Sequence, residues 1–309
     1  MPQKVSSLMR LRYVVYFVLP LLVLFAAGEV GLRTMPNAYR IKAEGIERKA
    51  PEIETLIIGA SHSLMGIRPS LLRTKAFNMA AVSETLDINE MVLQTYISHL
   101  PCLKNVVIAV DAGILFDPSL PEGDEAFRTT YYNLYMPTPR IGHWPQFAFE
   151  MASWKSVKNK LGALLSGEAS AEVDSLGWYT GYRLETRDEA SFADEIVKTR
   201  AMHHAQYGTK HLSENLKALQ RIYDLCCEHN VMLMILTTPV IKAYATALPQ
   251  WAHNSVKHTL DCYREKPNVE VKEYAADDRF SPIDFHDPDH LNTVGASKFS
   301  QILNKELGL

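Results

Sequence analysis

An α/β fold, with a parallel sheet between helical layers and one transmembrane helix ahead of it, is what this chain of 309 residues predicts. Three observations carry that expectation. Short apolar runs at 55–58, 76–79, 106–110, 231–237 and 269–274 alternate with segments of helical period, the pattern of strands joined by crossover helices. Several of these runs are apolar at consecutive positions, as suits strands covered on both faces. Near the amino terminus, an uncharged stretch from Tyr13 to Gly28 follows Lys4, Arg10 and Arg12.

That stretch is read as a membrane segment with its basic flank in the cytoplasm, which sends everything after about residue 30 to the outer side, the periplasm in a Gram-negative source. Its length lies between a spanning helix and the apolar region of a cleaved signal, and Ala26-Ala27-Gly28 resembles a cleavage site. Val30, Gly31 and Leu32 extend the span past Glu29, so an uncleaved anchor over 1–32 is expected. The polar, charged stretch 33–51 reads as a stalk, and 52–309 as the domain it carries.

Within that domain, Thr55 to Ile58 reads as a buried strand ended by Gly59, and 76–79 as a second. Ile88, Met91, Val92, Tyr96 and Leu100 give 87–100 a helical period, with Asp87 as expected cap. Val106 to Val110 is a third strand. From about 116 to 211 the alternation fails, and scattered Pro, Gly and aromatic residues suggest an insertion over the active-site edge, with one helical piece near 154–165. Regular structure resumes with a helix over 213–229 capped by Ser213, a strand over 231–237 closed by Thr238-Pro239, a helical stretch over 244–263, a strand over 269–274 and a last helix over 293–307. The chain has no internal repeat and no tract of low complexity. A net charge of −3 gives no basic footprint for nucleic acid.

The chemistry begins at Gly59-Ala-Ser61. A serine at the carboxyl end of a buried strand, on a tight turn into a helix, is exposed to attack a carbonyl, but it needs a base held by a third group. Asp287 and His290, three apart in Phe285-His-Asp-Pro-Asp-His-Leu-Asn292, can supply both from one turn. Ser63 is the neighbouring competitor for the nucleophile. His286, Asp287, Asp289 and His290 have the side chains of a divalent-metal site, but no second ligand cluster appears, so neither metal nor cofactor is expected. His62, His203 and His204 read as surface residues. Cys102, Cys226, Cys227 and Cys262 match no metal spacing; a bridge from Cys226 or Cys227 to Cys262 and free thiols both remain open.

Gly59-Ala-Ser61, Phe77-Asn-Met-Ala-Ala-Val-Ser-Glu-Thr85 and Asp287-x-x-His290 resemble, in order, the blocks of the SGNH (GDSL-like) hydrolase and acyltransferase superfamily, most closely its membrane-anchored bacterial members associated with polysaccharide O-acetylation. The resemblance implies a three-layer flavodoxin-like fold and a triad of Ser61, His290 and Asp287. It implies an oxyanion hole from the Ser61 N–H, an N–H at Ser83 where a glycine is usual, and an asparagine side chain. The third block carries Asp111 instead, whose negative charge would repel an oxyanion, which leaves Asn133 and Asn78 as stand-ins. Asn78, Thr238, Trp178 and Tyr132 are the expected substrate contacts, the aromatic pair because such rings stack on sugars; burial within a packed insertion is the plainer alternative for them. The function expected is an extracytoplasmic serine O-acetyltransferase acting on a cell-surface or exported polysaccharide, using an acyl donor that a multispanning membrane acyltransferase supplies. With water as acceptor the same residues make a carbohydrate esterase, and without activity the fold would serve as a polysaccharide-binding or export scaffold.

Overall fold

The computed structural model describes residues 7–166 and 172–309; Lys4 lies outside them. Helix α1 (Ser7–Thr34) contains a stretch, Arg12–Thr34, long and apolar enough to cross a membrane, and its large apolar side chains from Tyr13 to Phe25 are exposed. Pro20 sits inside it, as is tolerated in membrane helices.

The segment expected to be a stalk is instead a packed helix, α2 (Ala38–Lys49). Asn37 caps it by accepting from the Tyr39 and Arg40 amides, and Tyr39, Ala43 and Ile46, spaced i, i+4, i+7, enter the core on one face. Exposed Glu44, Glu47 and Arg48 cover the other face and mask that stripe in the sequence.

Five parallel strands, β1 (Thr55–Ile58), β2 (Ala76–Asn78), β3 (Asn105–Ala109), β4 (Met232–Thr237) and β5 (Val269–Glu273), form one sheet in the order β2-β1-β3-β4-β5. Helix α3 (Ser61–Gly66) follows β1, α4 (Leu86–Tyr96) follows β2 and α5 (Ala112–Phe116) follows β3. The insertion holds α6 (Thr129–Tyr135), α7 (Trp154–Ser166) and α8 (Asp194–His204). Then α9 (Leu212–Glu228) leads into β4, α10 (Lys242–Ala247) and α11 (Gln250–Arg264) into β5, and α12 (Thr293–Leu307) closes the chain.

Strand side chains alternate between two cores. Leu56, Ile58, Val106, Ile108, Leu233 and Ile235 face α2, α4, α9 and α11, whereas Ile57, Val107, Met234 and Leu236 face Ala296, Phe299 and Leu303 of α12. This order is that of a doubly wound sheet, whose switch point lies between β1 and β3, where connections leave to opposite sides and open a crevice at the carboxyl edge.

Three local expectations change. Thr85, not Asp87, precedes the first turn of α4, and the Asp87 carboxylate accepts from the Thr85 and Ser119 hydroxyls. Ser213 lies inside α9 rather than capping it. The stretch 244–263 is two helices because Leu248-Pro249 interrupts the amide ladder. All four cysteines are free.

Candidate active site

The residues that follow β1 and β3 meet at the switch point. Gly59 takes φ +124, a conformation that side chains disfavour, and an added Cβ would meet Ser63 Oγ at 2.3 Å. This tight exit from the strand sets Ser61 as the first residue of α3, so its N–H has no intrahelical partner. Ser63 is buried and spent on structure, accepting from the Ala109 amide at 3.0 Å. The nucleophile candidate is therefore Ser61 alone.

His290 reaches Ser61 from the loop before α12. Its Nε2 lies 2.7 Å from Ser61 Oγ, and its Nδ1 lies 3.0 Å from each Asp287 carboxylate oxygen. The loop is self-braced: Asp287 Oδ1 accepts the His290 amide at 2.9 Å, the His286 amide donates to His290 O at 2.9 Å, and Asn292 caps α12 while donating to Ile283 O at 2.7 Å. Tyr182 stacks on His286 with ring centroids 3.7 Å apart and meets His290 edge-on. Arg200 Nη2 also lies 2.9 Å from Nδ1; with the ring proton on Nδ1 and given to Asp287, Nε2 is the acceptor for the serine hydroxyl.

Around this triad-like line lies an ionic network that the sequence did not suggest. Arg200, from α8, sits 3.2 Å from Asp287 Oδ2 and pairs with Asp289. Asp289, 1% exposed, lies 3.1 Å from His62 Nε2, and His62 Nδ1 pairs closely with Asp111. His62 and His204 were expected at the surface; His62 is buried, and His204 lies within reach of Tyr244 and Asp289, its pKa lowered to about 4 by burial. His62 is the opposite case. Burial lowers its pKa, but Asp111 and Asp289 outweigh that and keep it an imidazolium.

Asp111, Asp287 and Asp289 thus share two cationic partners, His62 and Arg200. The pairing also removes the objection to Asp111: His62 balances its charge, and its Oδ1 accepts the Ile114 amide at 3.2 Å as the cap of α5. His62, Asp289 and His290 bring three potential metal donors within 4.8 Å of one another. Asp289 is already paired with a guanidinium and His62 is charged, so this set does not offer a cation the neutral imidazoles it needs.

Ser61 opens on a recess of about 70 Å³ shared with Ser83, Glu84, Asp111, Gly113 and Asp117. Ser83 has φ +56, which explains why a glycine would suit the position, and its N–H has no partner among the described residues. Glu84 is a recess residue that sequence reasoning missed; burial raises its pKa to about 8, and its Oε2 accepts from the Tyr132 hydroxyl at 2.9 Å. Its position directly after Ser83 was the signal available.

The other expected contacts lie elsewhere. Asn133 donates to Ile141 O and Phe147 O at 2.9 and 3.2 Å and accepts from the Ile141 amide, so it braces a loop and supplies no oxyanion donor. Asn78 is fully buried beneath α3, donating to Ser63 O and Ile67 O, both at 3.1 Å. Trp178 is buried, with Nε1 donating to Met65 O at 3.0 Å, and Tyr132 is buried with its hydroxyl on Glu84. All three serve packing, the plainer reading for the aromatic pair. Thr238 lines a different, mostly apolar cavity of about 260 Å³ that shares only His62 and Asp111 with the recess, and its buried hydroxyl is unpartnered.

No family model matches the chain, and no curated protein matches it. Among solved structures, a Streptococcus pneumonia protein described as a candidate platelet activating factor is similar at a TM-score of 0.42 and 12% identity, over 98% of this chain and 100% of that one.

Proposed function

We propose that this chain is a membrane-anchored serine O-acyltransferase of the SGNH type, working on a polysaccharide at or beyond the outer face of the cytoplasmic membrane. One observation carries the reading: Ser61 Oγ lies 2.7 Å from His290 Nε2, while Asp287 faces the other ring nitrogen. The strand order and the placement of these residues after β1 and before α12 support the three-layer flavodoxin-like form of that fold. The spanning helix and its basic flank support an outward-facing domain.

In the proposed reaction Ser61 Oγ attacks the acetyl carbonyl of a donor as His290 Nε2 takes the hydroxyl proton, and Asp287 stabilises the imidazolium. The oxyanion faces the Ser61 and Ser83 amides. Collapse expels the donor's leaving group, which takes the proton from His290, and leaves acetyl-Ser61. A sugar hydroxyl then attacks that ester and gives its proton to His290; the acetyl group leaves on the sugar, and His290 returns the proton to Ser61. Among the described residues no asparagine lines the recess, and a missing third donor costs about 10²–10³-fold in turnover. A membrane acyltransferase supplying the donor and a glycan accepting the acetyl group are the partners this chemistry calls for.

The test uses the full chain in detergent with a fluorophosphonate probe, the adduct mapped by mass spectrometry. The expected result is labelling at Ser61, none in Ser61→Ala, and labelling slowed by about 10³–10⁴-fold in Asp287→Asn, where the imidazole loses its tautomer. An aryl acetate offered with and without oligosaccharide separates transfer from hydrolysis. Equal labelling of Ser61→Ala and the native chain would end the proposal.

A further inference from the structure

Apart from α1, exposed large apolar side chains concentrate in one stretch of the insertion: Trp144, Trp154, Leu161, Leu164 and Leu165 are 43–87% exposed. Four of them belong to α7. Trp154, Leu161 and Leu165 recur at i, i+7 and i+11, which puts them in line along one face of the helix, with Leu164 at its edge. Exposed Lys158 and Lys155, the latter paired with Glu125, stand beside that stripe, while Ser156 and Lys160 point into the domain. An apolar stripe with tryptophan and flanking lysines is the pattern of a helix that lies in a membrane surface.

What covers the stripe is indicated by what stands beside it. Lys160 Nζ donates to Leu32 O at 2.9 Å, Met151 lies so close to Gly28 that an added Cβ would meet its Sδ at 2.7 Å, and the Phe149 ring packs edge-on against Phe25 at 5.5 Å. The segment 149–160 is thus bound to the last turns of α1, where the apolar span ends. We infer that α7 lies in the bilayer surface beside the exit of α1, with Trp154, Leu161 and Leu165 at the boundary of headgroups and acyl chains. The domain is then held at two places, and its crevice keeps one orientation to the membrane instead of swivelling about a single helix. This inference rests on the anchor proposed above.

The full chain, reconstituted in vesicles of phosphatidylcholine with brominated acyl chains, tests it. The described span of α1 contains no tryptophan, Trp178 is buried, and Trp251 packs on Phe116, so lipid-borne bromine should quench mainly Trp144 and Trp154. Strong quenching is expected for the native chain, with most of it lost in Trp144→Phe/Trp154→Phe. Unquenched native fluorescence, or quenching that the double variant keeps, overturns the inference; a stable dimer in detergent with unquenched tryptophans would assign the stripe to a second copy. Resistance to alkaline extraction from the same vesicles reports α1 alone, so failure of the anchor and failure of α7 give different results.

Discussion

Burial by itself would strip the proton from the His62 imidazole; the carboxylates on its two nitrogens reverse that, holding its pKa up at about 10 against an ordinary 6.5. A cation next to the proposed nucleophile is therefore permanent at neutral pH, and it keeps Asp111 from opposing an oxyanion. The linkage has a definite sign. A group whose folded pKa is raised contributes stability that is fully present below the unfolded value and lost as pH rises through the folded one, here from about 6.5 to about 10. Thermal unfolding of the native chain and of His62→Gln across that range should show a gap in Tm that is widest near pH 6 and closes toward pH 10. A gap that does not change with pH would show that His62 is not the charged link between Asp111 and Asp289.

At the scale of elements, the strand-to-helix turn owes its shape to two buried residues with no chemical part. Gly59 permits the turn, and Asn78 anchors the far end of α3 through carbonyls of Ser63 and Ile67 while accepting the Ala80 amide at 3.0 Å. Asn78→Ala strands buried carbonyls, so a stability loss of about 2–3 kcal/mol in urea unfolding is expected, with KM for an aryl acetate unchanged. An unchanged midpoint together with a raised KM would return Asn78 to the substrate. The α2 segment teaches a related point: its charges describe the solvent face, and only the i, i+4, i+7 spacing of Tyr39, Ala43 and Ile46 discloses the packed one.

For the whole molecule, the end of α1 and the domain form one packed body. Glu29, 6% exposed, accepts the Glu150 and Met151 amides at 3.0 Å each and pairs with Arg33 at 2.6 Å, while Lys160 joins Leu32 O to the buried Glu150 carboxylate. A chain shortened to begin at residue 35 loses these acceptors and leaves the Glu150 and Met151 amides and one Lys160 N–H without partners. It should unfold at a lower denaturant midpoint than one beginning at residue 28, by roughly 2 kcal/mol or more. Equal midpoints would mean that the contact between α1 and the domain is worth nothing in solution.

Local pattern was enough for the strands, the long apolar helix at the amino terminus and the choice of Ser61, Asp287 and His290, which the fold brings together, because apolar runs, a glycine turn and a three-residue spacing are properties of neighbouring residues. It was not enough for His62, Arg200 and Asp289, which come from three separate parts of the chain and acquire meaning only from the carboxylates they meet. Nor did it separate Trp178 and Tyr132, which are buried, from Trp154, which is exposed, since an aromatic side chain in a sequence looks the same in a core as on a surface. Which groups are charged, and which rings face outward, depends on distances between residues far apart in sequence, and those exist only once the chain has folded.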